Sequence, residues 1–139
     1  TLPNGQLIDL CLSGSKSREE IMSMMIGKGG MVAYLGTNDF REVCKRAMEG
    51  DRKAQLIQES ASYQVGKEIG AMAAALEGEV DAIILTGGMA YQELNTDYIS
   101  KMVATIAEVV IYPGEDELKA LAFNGLMVVN GDVEPKVYK

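Results

Sequence analysis

The sequence has no histidine, no tryptophan and only two cysteines among its 139 residues. Cys11 and Cys44 lie in different segments and form no CxxC pair, so a zinc site or a disulfide network has almost no residues to use. We therefore expect both cysteines to be buried free thiols in a protein of the reducing cytosol.

Long apolar runs and a surplus of basic residues are also missing. The longest apolar runs, such as residues 81–85, are far shorter than the roughly 20 residues that cross a bilayer. Thirteen basic residues against twenty acidic ones give a net charge of -7, which repels a nucleic-acid backbone. The sequence thus predicts no membrane span and no nucleic-acid partner. It begins at Thr1 without a methionine or a signal-like stretch, which indicates a cut end.

The sequence does contain enough apolar material for one core, since 47% of its residues are hydrophobic. Apolar spacing alternates between helical and strand-like, which predicts an α/β protein. A capping box of Ser17 and Glu20 begins a short helix, and Asn38 or Asp39 begins another. Residues 31–35 are predicted to form a strand or a buried irregular segment.

The strongest periodic signal predicts a long core helix from about residue 51 to residue 77. Its apolar face is expected to consist of Ile57, Ala61, Val65, Ile69, Ala73 and Leu76. Gly66 and Gly70 thin the middle of this helix, so another element is expected to pack very close to it there.

A short apolar run at residues 80–85 predicts a strand buried on both faces of a parallel sheet. A helix through residues 99–106 and a second strand at residues 108–112 follow, and the three elements make one βαβ unit. A last helix is predicted over residues 118–129, with its end near Asn130.

Ligands of open α/β sheets bind beyond the carboxyl ends of the strands, so we expect the chemistry at that edge. Thr86, Gly87 and Gly88 follow the first strand directly, and glycine lets the backbone lie against a flat ring or a phosphate. A tight turn that needs glycine explains the same residues without a ligand. The spacing fits neither GxGxxG nor GxxxxGKS/T, so a Rossmann site and a Walker loop are excluded.

A second candidate is Arg41, which lies one turn into a helix, where the helix macrodipole gives a cation no support. Its guanidinium either clamps a phosphoryl group or a carboxylate, or it forms an ordinary ion pair with Asp39 or Glu42. The residues alone leave both alternatives open.

Three stretches stand out together: residues 2–11 (LPNGQLIDLC), residues 27–39 (GKGGMVAYLGTND) and residues 81–91 (DAIILTGGMAY). They resemble butyrate kinases of the acetokinase family, within the superfamily of acetate and sugar kinases, Hsp70 and actin. The resemblance implies an α/β fold, helix-rich with a short parallel sheet, that is the C-terminal part of a ribonuclease H-like (actin-like ATPase) domain. Residues 1–139 would then be a single partial domain, the C-terminal lobe of a two-lobed carboxylate kinase.

The resemblance also implies roles for single residues. Residues 38–41 (NDFR) match a segment of the related acetate kinases in which the arginine stabilises the transferred phosphoryl group, so Arg41 is the expected catalytic residue. The same match places Asn38 and Asp39 beside the nucleotide. The expected adenine pocket consists of Thr86, Gly87 and Gly88 below the ring, with Met89 and Tyr91 at its wall. Acetate kinases carry GxGEN at this turn, and the difference favours the butyrate branch.

Residues 113–118 (PGEDEL) are similar to the family segment whose carboxylate helps to hold magnesium. One alignment puts Asp116 at the ligand position and a shift by one residue puts Glu117 there, and a hard cation accepts either. Acidic residues that complement a helix N-terminus explain the same cluster without a metal.

For the intact protein, the resemblance implies transfer of a phosphoryl group from ATP to butyrate with Mg²⁺, giving ADP and butyryl phosphate. It also implies a small carboxylate substrate, a cytoplasmic location, a homo-oligomer and an N-terminal lobe of the same protein that this chain lacks. The chain alone is expected to be inactive, because the other active-site groups of the family lie outside it. Acetate or propionate kinase, or a non-catalytic nucleotide-binding or oligomerisation module, are the alternatives.

Overall fold

The computed structural model describes residues 3–114 and 117–135. Their helices are α1 (Asn4–Leu12), α2 (Arg18–Met25), α3 (Gly30–Leu35), α4 (Phe40–Met48), α5 (Arg52–Ala75), α6 (Glu93–Val103) and α7 (Glu117–Val129). The strands are β1 (Ala82–Gly87) and β2 (Glu108–Pro113), and a single 3-10 turn, Gly88–Tyr91, joins β1 to α6. In this part of the chain, no helix is both long enough and apolar enough to cross a membrane.

Side-chain caps begin three of the helices, and the sequence predicted two of them, at Ser17 and at Asp39. The capping box of Ser17 and Glu20 is formed at the start of α2. Asp39 caps α4 by accepting a hydrogen bond from the backbone N–H of Arg41 at 2.9 Å. Asp51 caps α5 by accepting from the N–H groups of residues 53 and 54, both at 3.0 Å. Each cap satisfies backbone donors that a helix start otherwise leaves unpaired.

The sheet consists of β1 and β2, which run parallel in a register from Ala82 opposite Glu108 to Gly87 opposite Pro113. Helix α6 connects them, so the predicted βαβ unit is confirmed. Its core is the cluster of Ile83, Ile99 and Val103, against which residues of α5 and the strands also pack. The expectation of a helix-rich α/β fold with a short parallel sheet is therefore confirmed.

Strand β1 is buried on one face, which makes the prediction of burial on both faces wrong. Ile83 points to α5 and α6 and is 6% exposed, whereas Ile84, on the opposite face, is 61% exposed. In the part of the chain that the structure describes, helices cover only the first face, and the second face of the sheet stays open.

Helix α5 has the predicted length but buries a different face from the predicted one. The residues of the expected apolar stripe are exposed or only half-buried. The buried residues of α5 are Ala54, Gln58, Ser62 and Gly66, which repeat every four positions. Helices α4 and α6 both pack against α5, and short side chains let them approach closely. The close approach predicted at Gly66 is confirmed, because the side chain of Met102 lies directly over it.

Two further sequence expectations are wrong. Residues 31–35 belong to helix α3 and not to a strand, because their hydrogen bonds are local, and Gly36 closes the helix at a φ of 74° with its N–H bonded to the Val32 carbonyl at 3.0 Å. Cys11 is exposed, since α1 buries none of its residues, whereas Cys44 is buried as predicted. Helix α7 ends at Val129, so its helical continuation through residues 127–129 is confirmed.

The two glycines in the middle of α5 offer a matched test of this packing. We expect Gly70→Ala to stabilise the protein by up to about 1 kcal/mol, because alanine favours the helix and nothing lies within 4 Å of the new methyl group. Gly66→Ala should instead be the less stable of the two by about 1–3 kcal/mol, because its methyl group collides with Met102. Urea unfolding of both variants measures the difference, and equal stabilities would contradict the close packing of α6 on α5.

Candidate functional site

Most of the predicted site residues line one cleft between the start of α4 and the turn after β1. We call it the arginine cleft, and its volume is about 620 Å³. It is lined by Asn38, Asp39, Phe40, Arg41, Gly88, Met89, Tyr91 and Gln92. The structure therefore brings together six residues that the sequence selected from two segments about fifty positions apart. The side chain of Phe40 is buried and anchors this start of α4 in the core.

An ion pair between Asp39 and Arg41 forms one rim of the arginine cleft. The guanidinium donates from Nε to Oδ1 at 3.2 Å and from Nη2 to Oδ2 at 3.1 Å. Both side chains reach solvent, with exposed fractions of 76% for arginine and 43% for aspartate. Of the two partners that the sequence offered, Asp39 is the one found, and Glu42 lies 3.8 Å from Arg46. The exposed guanidinium remains accessible to a ligand in the cleft.

Both members of this pair are charged at neutral pH. The side-chain hydrogen bond from Arg41, together with its backbone N–H, holds the pKa of the Asp39 carboxyl below its usual range. The same side-chain hydrogen bond raises the pKa of Arg41. The rim of the cleft is thus a neutral pair of opposite charges, in which another anion can replace the aspartate as the partner of the arginine.

The opposite wall of the arginine cleft is the glycine turn. Gly87 has a φ of 81°, a backbone conformation that favours glycine, and exchanges two 3.2 Å backbone hydrogen bonds with Gly114. Gly88 has no such φ, and a Cβ added to it would meet no atom within 4 Å. The tight turn therefore explains glycine at position 87 but not at position 88. Gly88 therefore presents bare backbone to the open space of the arginine cleft.

Two predicted residues, Thr86 and Gly87, face a second cleft of about 620 Å³. We call it the glutamate cleft, because Glu117 at the first turn of α7 also lines it. The two clefts meet at one contact: Tyr91 lines the arginine cleft, and its hydroxyl lies against Gly114 of the glutamate cleft. A Cβ on Gly114 would come within 2.6 Å of that hydroxyl, so glycine is required for this close approach.

The predicted metal ligands are only partly within the described residues. Asp116 lies outside them, whereas Glu117 borders the glutamate cleft beside Thr86 and Gly87. Among residues 3–114 and 117–135, no three carboxylates or thiols gather into a metal site. A single carboxylate fits Mg²⁺ when water and the oxygens of a bound phosphate complete its coordination. The residues present would therefore hold this ion only together with a phosphate ligand.

Sequence reasoning missed a set of buried polar residues behind the turn. Gln58 and Ser62 of α5 and Asn95 of α6 are 1%, 0% and 4% exposed. They are hydrogen bonded to one another, and Asn95 donates to the carbonyl of Met89 at 3.3 Å. The signal in the sequence was the four-residue spacing of small and polar residues along α5, which the stronger apolar stripe of the same helix concealed.

Comparison with solved structures identifies the class of this fold. The chain is similar to the crystal structure of acetate kinase from Porphyromonas gingivalis, with a TM-score of 0.75 over 92% of this chain and 39% of that one, at 19% identity. It is also similar to a propionate kinase from Francisella tularensis, with a TM-score of 0.70 over 85% of this chain and 36% of that one, at 23% identity. The fold is that of the acetate and propionate kinases, as the sequence predicted.

The chain belongs to the acetokinase family, whose pattern matches residues 8–125. It is 51% identical to butyrate kinase 2 of Clostridium acetobutylicum and 48% identical to a probable butyrate kinase 2 of Caldanaerobacter subterraneus. Both matches extend over 99% of this chain and 39% of the relative. The chain thus spans about two fifths of the length of the curated relatives that it matches.

The charge of Asp39 should make the stability of the folded chain depend on pH. A carboxyl whose pKa is lowered by folding stabilises the folded state above its usual pKa, and the contribution is lost as the pH falls through the lowered value. We expect Asp39→Asn, which keeps a capping oxygen, to be less stable than the wild type near neutral pH. The difference in unfolding free energy between the variant and the wild type should disappear as the pH falls below about 4. Urea unfolding along this pH range measures it, and a gap that stays constant would rule out the ionised pair.

Proposed function

We propose that this chain is the nucleotide-binding C-terminal lobe of a butyrate kinase, which transfers the γ-phosphoryl group of ATP to butyrate and releases ADP and butyryl phosphate. The observation that carries the proposal is the arginine cleft, where an accessible Arg41 faces the bare backbone of Gly88. The identity of about one half to butyrate kinase 2, over nearly the whole chain, supports the butyrate branch of the family.

In this proposal the arginine cleft holds the adenosine and directs the phosphates toward Arg41. An adenine ring lies flat against Gly88, where a side chain would otherwise occupy the space. Met89 and Tyr91 form the wall of the ring pocket, and Asn38 and Asp39 lie on the opposite side. Thr86 and Gly87 face the glutamate cleft, which suits the phosphate side of the ligand better than the ring itself.

The role proposed for Arg41 is to stabilise the phosphoryl group during transfer. A carboxylate oxygen of the substrate attacks phosphorus in line, the bond to ADP breaks, and negative charge is spread over the oxygens in transit. A planar guanidinium can donate parallel hydrogen bonds to two of these oxygens. Arg41 would exchange Asp39 for these oxygens, and this exchange is feasible because the ion pair is exposed to solvent.

The proposed metal position is the glutamate cleft. Glu117, or Asp116 in the other register, would contribute one carboxylate to Mg²⁺, with phosphate oxygens and water as the remaining ligands. The ion, when bound, would offset negative charge on the phosphates. Glu117 and Gly87 line the same cleft, which supports a phosphate chain that contacts both.

The proposal assigns the remaining parts of the reaction to other parts of the protein. The N-terminal lobe would close over the phosphates and supply the acyl pocket and further charged groups. We also propose that the intact enzyme is a cytoplasmic homodimer, with this lobe contributing to the interface. The chain alone would bind nucleotide weakly and not turn over, since phosphoryl transfer needs several positioned groups together.

Arg41→Ala in the full-length enzyme tests the catalytic role. We expect kcat to fall by about 10²–10³ while the KM for ATP changes little, because the lost interaction forms mainly in the transition state. Arg46→Ala is the matched control, because Arg46 lies on the same helix but pairs with Asp51 at 2.7 Å outside the clefts. Equal changes of kcat and KM would assign Arg41 to ground-state binding instead.

Gly88→Val tests the adenine position. The valine side chain would occupy the space in front of the turn, so we expect the Kd for ADP to rise by about tenfold or more, with an unchanged fold. Gly70→Val, at another glycine with open space on α5, is the control for substitution alone. Titration calorimetry with ADP and magnesium measures both variants, and unchanged affinity of Gly88→Val would remove the adenine from this position.

A further inference from the structure

Helix α5 buries a polar face although an apolar face is available on the same helix. We call Gln58, Ser62 and Asn95 the polar chain, since they form one run of hydrogen bonds from inside α5 to α6. Burial of such groups costs free energy unless each is paired. In the part of the chain that the structure describes, every buried side-chain polar atom has a hydrogen-bond partner. The polar chain is therefore fully satisfied.

Ser62 Oγ lies 2.8 Å from Asn95 Oδ1 and 3.1 Å from the Gln58 carbonyl, and with its single proton on the nearer acceptor the side-chain hydrogen bonds of the polar chain run in one direction. Gln58 Nε2 donates to Ser62 Oγ at 2.9 Å, and Ser62 Oγ donates to Asn95 Oδ1 at 2.8 Å. Asn95 Nδ2 then donates to the Met89 carbonyl at 3.3 Å. The carbonyl can only accept, so it fixes which way the amide of Asn95 points. Dipoles that follow one another in this way strengthen each other in a medium of low polarity.

The end of the polar chain is a backbone atom of the candidate site. The Met89 carbonyl accepts from Asn95 and also from the N–H of Gln92 at 3.2 Å, so both of its lone pairs are used. Glycines stand directly before the turn and at its first position, and glycine has the largest conformational freedom of any residue type. Contacts with neighbouring elements therefore help to hold the turn, and the polar chain is one of them.

Apolar side chains could also fill the space between α5 and α6, but their contacts would not be directional. A hydrophobic contact tolerates small rotations and shifts of its partners, whereas a hydrogen bond loses strength when its angle or length departs from the optimum. The polar chain thus adds a defined distance between the buried side of α5 and the Met89 carbonyl. The Met89 carbonyl belongs to the same turn as Gly88 and Tyr91, which line the arginine cleft.

We propose that Ser62 and Asn95 are positioning residues of the nucleotide site, which act through the Met89 carbonyl to hold the Gly88–Tyr91 turn in its binding conformation. The inference rests on the proposed function, in which this turn contacts adenosine. Neither residue lines the arginine cleft, so neither touches the ligand. Their effect on nucleotide affinity is transmitted through three hydrogen bonds that begin at Gln58.

Ser62→Ala in the full-length protein, compared with Val103→Ala, tests the proposal. Both remove a small part of a buried side chain, and Val103 lies on α6 in the apolar cluster, away from the polar chain. We expect the Kd for ADP to rise on the order of tenfold in Ser62→Ala and to stay within about twofold in Val103→Ala. In turnover, the KM for ATP should rise and kcat at saturation should change little. Equal losses of affinity in both variants would overturn the positioning role.

Hydrogen exchange separates this inference from the proposed function. The N–H of Gln92 is bonded to the Met89 carbonyl, so its exchange without nucleotide reports directly on the turn. We expect faster exchange there in Ser62→Ala than in the wild type or in Val103→Ala. Unchanged exchange in Ser62→Ala overturns the inference even if ADP binds to the wild type. A wild type that binds no ADP overturns the proposed function, and with it the link to nucleotide, even if exchange shows that the polar chain holds the turn.

Gln58→Met is the second variant, in case Ser62→Ala does not fold. It keeps the length of the side chain and removes the amide that donates to Ser62 and, at 3.4 Å, to the Leu94 carbonyl of α6. The expected result is a change in the same direction as in Ser62→Ala but smaller, about twofold to fivefold in the Kd for ADP. An affinity equal to that of the wild type, in a folded variant, would contradict transmission along the polar chain.

Discussion

The buried face of α5 determines the separation between the two walls of the arginine cleft. This face consists of Ala54, Gln58, Ser62 and Gly66. Helix α4, which begins with the Asp39 and Arg41 pair, packs on this face, and so does α6, which follows the glycine turn. Because Ala54 and Gly66 allow close approach, the three helices form one compact unit. The cleft between Arg41 and Gly88 is a consequence of that packing, since both of its walls are attached to helices that pack on α5.

The elements of the fold follow from local sequence signals, and most of the site follows from their order. Caps at Asp39 and Asp51, and the apolar runs of β1 and β2, are local properties that a single sequence displays. The edge of a parallel sheet then gathers Thr86, Gly87 and Glu117 without further information. The position of Arg41 opposite Gly88 needed the family resemblance, because no local rule relates the two segments.

The errors of the sequence reasoning concern burial and not periodicity. The apolar stripe of α5 has the correct helical spacing, yet residues such as Val65 and Leu76 remain exposed in the described structure. Periodicity identifies a helix but does not decide which of two possible faces meets its neighbours. Here the deciding property was side-chain size, together with hydrogen bonds between α5 and α6 that are distant in sequence. The error at residues 31–35 has a different cause, because the periodicity of a short apolar run fits a helix or a strand equally.

Apolar side chains are exposed on α5 and on the outer face of β1, among them Met72, Leu76 and Ile84. A groove of about 490 Å³ runs along this side of α5, lined by apolar residues that include Ile69, Met72 and Ile83. Exposed patches of this kind usually mark a contact with other protein. The observation agrees with a chain that spans about two fifths of its relatives and with the additional lobe in the proposed kinase.

The exposed Asp39 and Arg41 pair carries a consequence for which anions the cleft admits. A single carboxylate already neutralises the guanidinium, so a monoanion that replaces it gains nothing in charge. A nucleotide with several phosphate charges does gain, so it displaces the aspartate more readily than a monoanion does. In the proposed kinase, Asp39 would therefore compete for the guanidinium more effectively against a short carboxylic acid than against the nucleotide.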